Sequence, residues 1–212
     1  MEEIRHSHRA VYEANAGHWD TTRSRVLFEK YWLDRLLAHV PMGSGVLDLG
    51  CGAGEPIARY LIEQGRIVTG VDFSQSMLAI ARRRFPDSRW LEADMRALEL
   101  PAQFAGIVAW DSFFHLTKDE QRAAIPRLAR HIAPGGAFLV TVGPNEAEAV
   151  GRVGNGAVFH ASLSPAEYAA RLDAVGMDVE SFVPNDAACG GHSVLLAIRR
   201  DERHTPKDPL PG

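Results

Sequence analysis

Cysteine is almost absent from this chain of 212 residues: only Cys51 and Cys189 occur. One disulfide is the most that could form, which excludes a disulfide-stapled scaffold and favours a reducing cytoplasm. Long apolar runs are missing too. The N-terminus MEEIRHSHRA has no apolar signal core, and no stretch is long enough to span a bilayer. Positive charge is in deficit: 23 Lys and Arg stand against 27 Asp and Glu, a net charge of −4. That disfavours non-specific binding to nucleic acid or to a membrane. The one basic cluster, Arg82-Arg83-Arg84, closes an expected helix, where cations suit the dipole. Internal repeats and low-complexity tracts are lacking as well.

What is present is ordinary for a globular domain: 46% apolar and 24% charged residues. Strand and helix patterns alternate along it. FEKYWLDRLLAHV spaces Phe28, Tyr31, Trp32, Leu36 and Val40 for a helix. GVLDLG reads as a buried strand, and PIARYLIEQG as a helix from Pro56 to Gly65. RIVTGVDF is a second strand, and Ser74 caps QSMLAIARRRF, which ends before Pro86. RWLEAD and GIVAWD are further strands. Thr117 and Glu120 suggest a capping box for the next helix, in which Pro126 implies a kink or a late start. GGAFLVTVG is a strand, and Ser164 with Glu167 boxes the helix PAEYAARLDAV. MDVESFV and SVLLAIRR follow, joined too closely for a crossover helix, so they pair antiparallel. The expected fold is α/β: a doubly wound, mainly parallel Rossmann-like sheet with an antiparallel last strand and helices on both faces. Residues 1–27 form an N-terminal arm, 28–200 the domain, and the proline-rich 201–212 a disordered tail.

In GVLDLGCGAGEP an acid, Asp48, interrupts a buried strand, and three glycines follow at alternate positions. Folding alone does not ask for this. Ligands of such sheets bind beyond the carboxyl ends of the strands, where Gly50, Gly52 and Gly54 can bring bare backbone close. Asp72 ends the second strand and suits the two hydroxyls of a ribose. Asp94, after the third, either accepts from an adenine amino group or caps a loop. A dinucleotide fingerprint would read G-x-G-x-x-G, but here Glu55 holds the place of the third glycine. Glu55 and Asp48 would repel a pyrophosphate. They would tolerate a nucleoside carrying an ammonium and a sulfonium, as S-adenosylmethionine does.

Over residues 10–200 the sequence resembles the class I S-adenosylmethionine-dependent methyltransferases. VLDLGCGAG is similar to their glycine motif, VTGVDFS to their ribose-binding strand end, LEADM to their adenine-binding one, and APGGAFLV to their turn into the fifth strand. The resemblance implies S-adenosylmethionine as cofactor and S-adenosylhomocysteine as product. It places Asp48, Gly50, Cys51, Gly52 and Gly54 at the methionyl end, Asp72 and Phe73 at the ribose, Asp94 and Met95 at the adenine, and Trp110 and Asp111 beside the methyl group. Cys51 reads as a small buried residue, since methyl transfer needs no thiol. VYEANAGHWDTTRSR resembles the arm that closes over cofactor, with Tyr12, Trp19 and Arg23 as contacts, although Trp19 could equally pack on the core.

The acceptor pocket is expected between the arm, WDSFFHL, the long segment GPNEAEAVGRVGNGAVFHASL without a clear element, and NDAACGGH, which should bring Asp186, Cys189 and His192 to its rim. His115, His160 and His192 are candidate bases, each with an ordinary loop histidine as its alternative. Asp111 more naturally orients than abstracts a proton. The segment DSFF lacks the Asn/Asp-Pro-Pro-Tyr/Phe of nucleobase amino methyltransferases, so the expected partner is a small-molecule acceptor, with no nucleic acid, membrane or metal. A monomer or homodimer is expected. A nicotinamide-dependent reductase and a non-catalytic S-adenosylmethionine-binding regulator are the competing readings.

Overall fold

A computed structural model describes residues 8–154 and 156–201. The tail expected at 201–212 lies, apart from Asp201, outside the described residues. Six helices are present among them: α1 (His8–Thr22), α2 (Lys30–Leu37), α3 (Ile57–Glu63), α4 (Gln75–Arg84), α5 (Lys118–Arg130) and α6 (Pro165–Asp173). The strands are β1 (Gly45–Leu49), β2 (Ile67–Asp72), β3 (Arg89–Glu92), β4 (Phe104–Ala109), β5 (Ile132–Val142), β6 (Ala147–Val153), β7 (Gly156–Ser162), β8 (Met177–Asp186) and β9 (His192–Arg199).

Seven strands form one sheet in the order β3-β2-β1-β4-β5-β9-β8. Pairings from β3 to β5 are parallel. β9 is antiparallel to both β5 and β8, so β8 points the same way as β5, as the sequence implies. The short apolar strands are buried on both faces. Leu47, Leu49, Val71 and Ile107 pack under α5 and α6, while Val46, Val68, Val108 and Leu139 pack under α2, α3 and α4. Each fully buried Leu or Val stabilises the fold by about 1.5–3 kcal/mol. The period of two along a strand puts Asp48 on the same face as Val46. The strand order reverses between β1 and β4, and a crevice opens at that switch point beyond the carboxyl ends.

Local signals explain most boundaries. Ser74 accepts from the Met77 N–H at the start of α4, and Thr117 with Glu120 forms a full capping box on α5. Ser164 caps α6 by accepting from the Glu167 N–H, but Glu167 does not complete the box. Its carboxylate pairs with Arg122 and Arg171 instead. α5 does not start late at Pro126; it begins at Lys118 and runs to Arg130.

Two segments differ from expectation. The arm is a regular helix from His8 to Thr22, its residues 1–7 lying outside the described ones. Tyr12, Ala16, Trp19 and, just past its end, Arg23 lie at i, i+4, i+7 and i+11 and face the crevice. The adjacent flank is strapped to α4: the Glu13 carboxylate accepts from the Ser74 and Ser76 hydroxyls at 2.6 Å, and Arg84 at the far end grips Asp20. The segment after β5, expected as a structureless loop, is a β6–β7 hairpin forming its own two-stranded sheet. β6 is exposed on both faces, so its sequence carries no alternation to read. Buried Val158, Phe159 and Ala161 of β7 seat it, and Gln121 donates to the Ala161 carbonyl.

Candidate functional site

The crevice lies beneath α1, bounded by the ends of β1, β2 and β4, with about 860 Å³ of empty space counting the part open to solvent. Asp48, Gly50, Cys51, Gly52, Asp72, Phe73, Met95, Trp110 and Asp111 line it from the sheet, and Tyr12, Trp19 and Arg23 from the arm. A contiguous cleft shares Gly50, Asp72, Phe73 and Met95 and extends to Asp94.

Asp48 is 3% exposed, and no described protein group hydrogen-bonds its carboxylate. Burial, with the Asp72 charge behind it, pushes the Asp48 carboxyl up to about 7, against the pull of Arg23. This buried acid has no structural partner and faces a space that a cationic group would fill. Asp72 is different. Its two oxygens accept from the Gly52 N–H (2.9 Å) and the Ser74 N–H (2.8 Å), fixing the glycine loop to the start of α4. Burial raises its carboxyl, and these backbone bonds oppose the shift.

The glycines have separate duties. A Cβ on Gly50 would stand 2.3 Å from the Cβ of Ser112, whose hydroxyl donates to the Leu49 carbonyl. A Cβ on Gly54 would press on Trp90 and Phe85. Only Gly52 faces open space. Two of the three glycines therefore serve close packing within the chain, and the third leaves open space beside its backbone. Glu55 also departs from expectation. Its carboxylate pairs with Arg25 and Arg59 and lies 4.0 Å from Arg84, so it is neutralised and does not repel a phosphate. The charge argument against a pyrophosphate rests on Asp48 alone.

Asp94 caps the short turn Met95–Ala97 by accepting from the Arg96 N–H, and it pairs with the Arg96 guanidinium. Burial would raise its carboxyl, but Arg96 holds it below the usual value. Cys51 is buried, and burial lifts its thiol well above the ordinary range, as expected of a packing residue.

The candidate bases separate into three environments. His192 donates from Nε2 to Asp111 Oδ1 at 2.8 Å and from Nδ1 to the Cys189 carbonyl at 2.7 Å. Neither acceptor has a proton to give, so both ring nitrogens are protonated and His192 is an imidazolium while both bonds hold. His115 donates from Nδ1 to the Phe159 carbonyl (3.0 Å) and accepts at Nε2 from the Tyr12 hydroxyl (2.9 Å). That arrangement is neutral, and burial pushes its imidazole down to about 3. His160 does not line the crevice. It packs on Phe114 and His115 with ring centroids 4.7 and 5.0 Å away, and burial lowers its imidazole. No group of three or more His, Cys, Asp or Glu among the described residues is placed to hold a metal.

The turn after β8 does not line the crevice; it is linked to it through His192, the first residue of β9, which bonds the crevice-lining Asp111. Asp186 is tied to the Trp32 indole N–H at 2.8 Å, and Cys189 is buried, its thiol pushed up to about 12 by that burial. Asp111 adopts φ 50 and also accepts from Arg23 Nη1 at 3.2 Å, whose Nη2 donates to Glu29 Oε1 at 3.1 Å. Sequence reasoning passed over Glu29, Ser112, Glu13 and Asp20. Glu13 and Asp20 sit at helical spacing beside the Tyr12–Trp19 stripe, a signal that a helical reading of the arm would have exposed.

A protein-family profile described as "Methyltransferase domain" matches residues 46–136. A 27-O-demethylrifamycin SV methyltransferase of Amycolatopsis mediterranei is 33% identical over 184 residues, 78% of this chain and 66% of that protein. A solved DhpI–SAH complex superposes with a TM-score of 0.73 at 25% identity, covering 96% of this chain and 100% of that one. The chain carries a class I S-adenosylmethionine-dependent methyltransferase domain. A dTDP-3-amino-3,6-dideoxy-alpha-D-glucopyranose N,N-dimethyltransferase of Streptomyces fradiae is 38% identical over 104 residues, 48% of this chain and 40% of that protein. The chain spans between 40% and 46% of the length of the curated relatives that match it first. No helix among the described residues is long and apolar enough to cross a membrane.

Proposed function

We propose that this methyltransferase domain binds S-adenosylmethionine, transfers its methyl group to a small metabolite and releases S-adenosylhomocysteine. The observation that carries this is the Asp48 carboxylate, buried and without a protein hydrogen bond beside an open glycine, Gly52. A ligand ammonium supplies the missing counter-charge. Asp72 keeps lone pairs for a ribose hydroxyl, and the Met95 side takes the adenine.

The bound sulfonium supplies an already activated methyl group. The chain's own task is to place a nucleophile in line with it and exclude water. Helix α1, the core of the arm at 1–27, is the cover, and Tyr12, Trp19 and Arg23 close the space over the crevice. His192 is held as an imidazolium and so orients Asp111 rather than taking a proton. His115, neutral and bonded to Tyr12, orients the Tyr12 hydroxyl at the arm side. Sugar amines lead the acceptor classes, because relatives include amino-sugar N,N-dimethyltransferases and an amine needs no strong base once uncharged.

Calorimetry against S-adenosylmethionine, S-adenosylhomocysteine and NADH tests the cofactor. A metabolite-pool screen scoring S-adenosylhomocysteine release with a mass gain of one methyl tests the activity. Binding of NADH and not of S-adenosylmethionine would overturn the proposal; binding without turnover of any acceptor would favour a regulator.

A further inference from the structure

Glu29 is 0% exposed, yet the fold makes no use of its side chain. It precedes α2 at the N-cap position without capping it by a side-chain bond. One oxygen, Oε2, has no hydrogen-bond partner. The other accepts from Arg23 at 3.1 Å, and the only further bond to the carboxylate among the described residues comes from the backbone N–H of Glu29 itself. An uncapping, half-satisfied, fully buried carboxylate is costly, and an apolar residue or Gln would serve packing better. Arg23 is thus the one side chain among the described residues that bonds the Glu29 carboxylate directly.

From Glu29 the charges alternate in sign. Arg23, one residue past α1, bridges Glu29 and Asp111, and Asp111 bonds His192. Four separate segments meet there: the arm's end, the approach to α2, the end of β4 and the turn before β9. Phe28, the neighbour of Glu29, stacks on the His192 ring with centroids 5.6 Å apart.

We propose that Glu29 is a positioning residue for methyl transfer: it holds the Arg23 guanidinium in the orientation that delivers its second nitrogen to Asp111, so that closing the arm and aiming the Asp111 carboxylate are one event. The arm then cannot lie closed with the acceptor wall disordered. The inference rests on the proposed function for its catalytic consequence, but not for the structural coupling.

The coupling is tested by hydrogen exchange on the ligand-free protein, in wild type, Glu29→Gln, Asp111→Asn and the double variant. Glu29→Gln keeps the volume and removes the charge. Exchange around Arg23, whose N–H bonds the Trp19 carbonyl at 2.8 Å, should accelerate about tenfold in each single variant, and little further in the double, because both act through Arg23. Multiplicative acceleration in the double variant, or none in Glu29→Gln, overturns the inference. Where acceptor turnover is measurable, Glu29→Gln should lower kcat/KM for the acceptor about tenfold while S-adenosylmethionine affinity stays within twofold. Equal losses in both would mark a structural role and also overturn it. If Glu29→Gln does not fold, Arg23→Lys, which cannot bridge two carboxylates, should reproduce the exchange effect; unchanged exchange there overturns the coupling. Failure of the wild type to methylate any acceptor would sink the proposed function and leave the exchange result standing.

Discussion

His192 and Asp111, 81 residues apart in sequence, form a charge-assisted bond of 2.8 Å beside the crevice that Asp111 lines. The bond with Asp111 raises the His192 imidazole above its ordinary 6.5, against burial. Burial would raise Asp111, but His192 and Arg23 hold it below 3.8. The signs set a window. The histidine's contribution to stability is complete below 6.5 and is lost as pH rises through its higher folded value. The carboxylate's is present above 3.8 and is lost as pH falls through its lower folded value. Thermal unfolding of wild type and Asp111→Asn should therefore differ most between about pH 4 and 6.5. An NMR titration should show the His192 imidazole moving down in Asp111→Asn. A His192 that titrates identically in both proteins would rule out the pair.

His115 should behave in the opposite sense. Burial keeps it neutral, and a buried histidine binds fewer protons folded than unfolded, so its contribution falls as pH drops from 6.5 towards about 3. Its imidazole signal should not titrate above pH 5, and any acceptor pH–rate profile should lack a limb that His115→Gln abolishes. Tyr12→Phe removes the one hydrogen bond at Nε2 and should weaken closure of the arm, read as faster exchange at Tyr12–Trp19 with S-adenosylhomocysteine present. Unaltered exchange would detach Tyr12 from the lid.

The glycine loop offers a comparison within three residues. Gly50→Ala drives a Cβ to 2.3 Å from Ser112, adding about 1–3 kcal/mol of overpacking to roughly 1–2 kcal/mol of left-handed backbone strain. Gly52→Ala meets nothing and carries only the backbone strain at φ +51. Denaturant unfolding should rank Gly50→Ala as the more destabilised, with Ser112→Gly relieving part of its loss. The ligand effect should invert the ranking per unit of stability lost: Gly52→Ala intrudes on the crevice and should weaken S-adenosylmethionine more than its small stability cost suggests. Equal stabilities for the two alanine variants would contradict the packing described.

The parallel strands were legible because each is a short apolar run bounded by Gly, Pro or a cap, and the strand direction of MDVESFV followed from the helix before it. The crevice was legible because Asp48 interrupts one apolar strand and Asp72 ends the next, where apolar packing alone does not ask for an acid. The β6–β7 hairpin was not legible: β6 buries almost nothing, so its sequence is free of any period. Nor were the pairings around Asp111. Glu29 looks like a surface charge in sequence and Arg23 like a cofactor contact of the arm, and their meeting with Asp111 and His192 depends on four segments converging. Glu55 illustrates the same limit from the other direction. Its position in the motif suggested a repulsive charge, but Arg25 and Arg59, which neutralise it, carry no motif at all.

Asp48 permits a test in which stability and binding move in opposite directions. Its carboxyl is raised by burial from 3.8 to about 7. A carboxyl raised on folding binds more protons in the native state, so it costs nothing below the unfolded value, and the cost grows as pH climbs through that window to about 7. Asp48→Asn is nearly isosteric and removes the charge. The free protein should be stabilised at pH 8, by about 2–4 °C in Tm for each kcal/mol recovered, and should match wild type near pH 4. S-adenosylmethionine should nevertheless bind more weakly, by about 1–3 kcal/mol, because the ligand ammonium loses a charge-assisted partner. S-adenosylhomocysteine, which keeps the ammonium and lacks the sulfonium charge, should lose affinity to a similar extent if Asp48 acts on the ammonium. If only S-adenosylmethionine weakens, the carboxylate answers the sulfonium instead. A variant that is both less stable and unchanged in affinity would remove Asp48 from the site and return it to the fold.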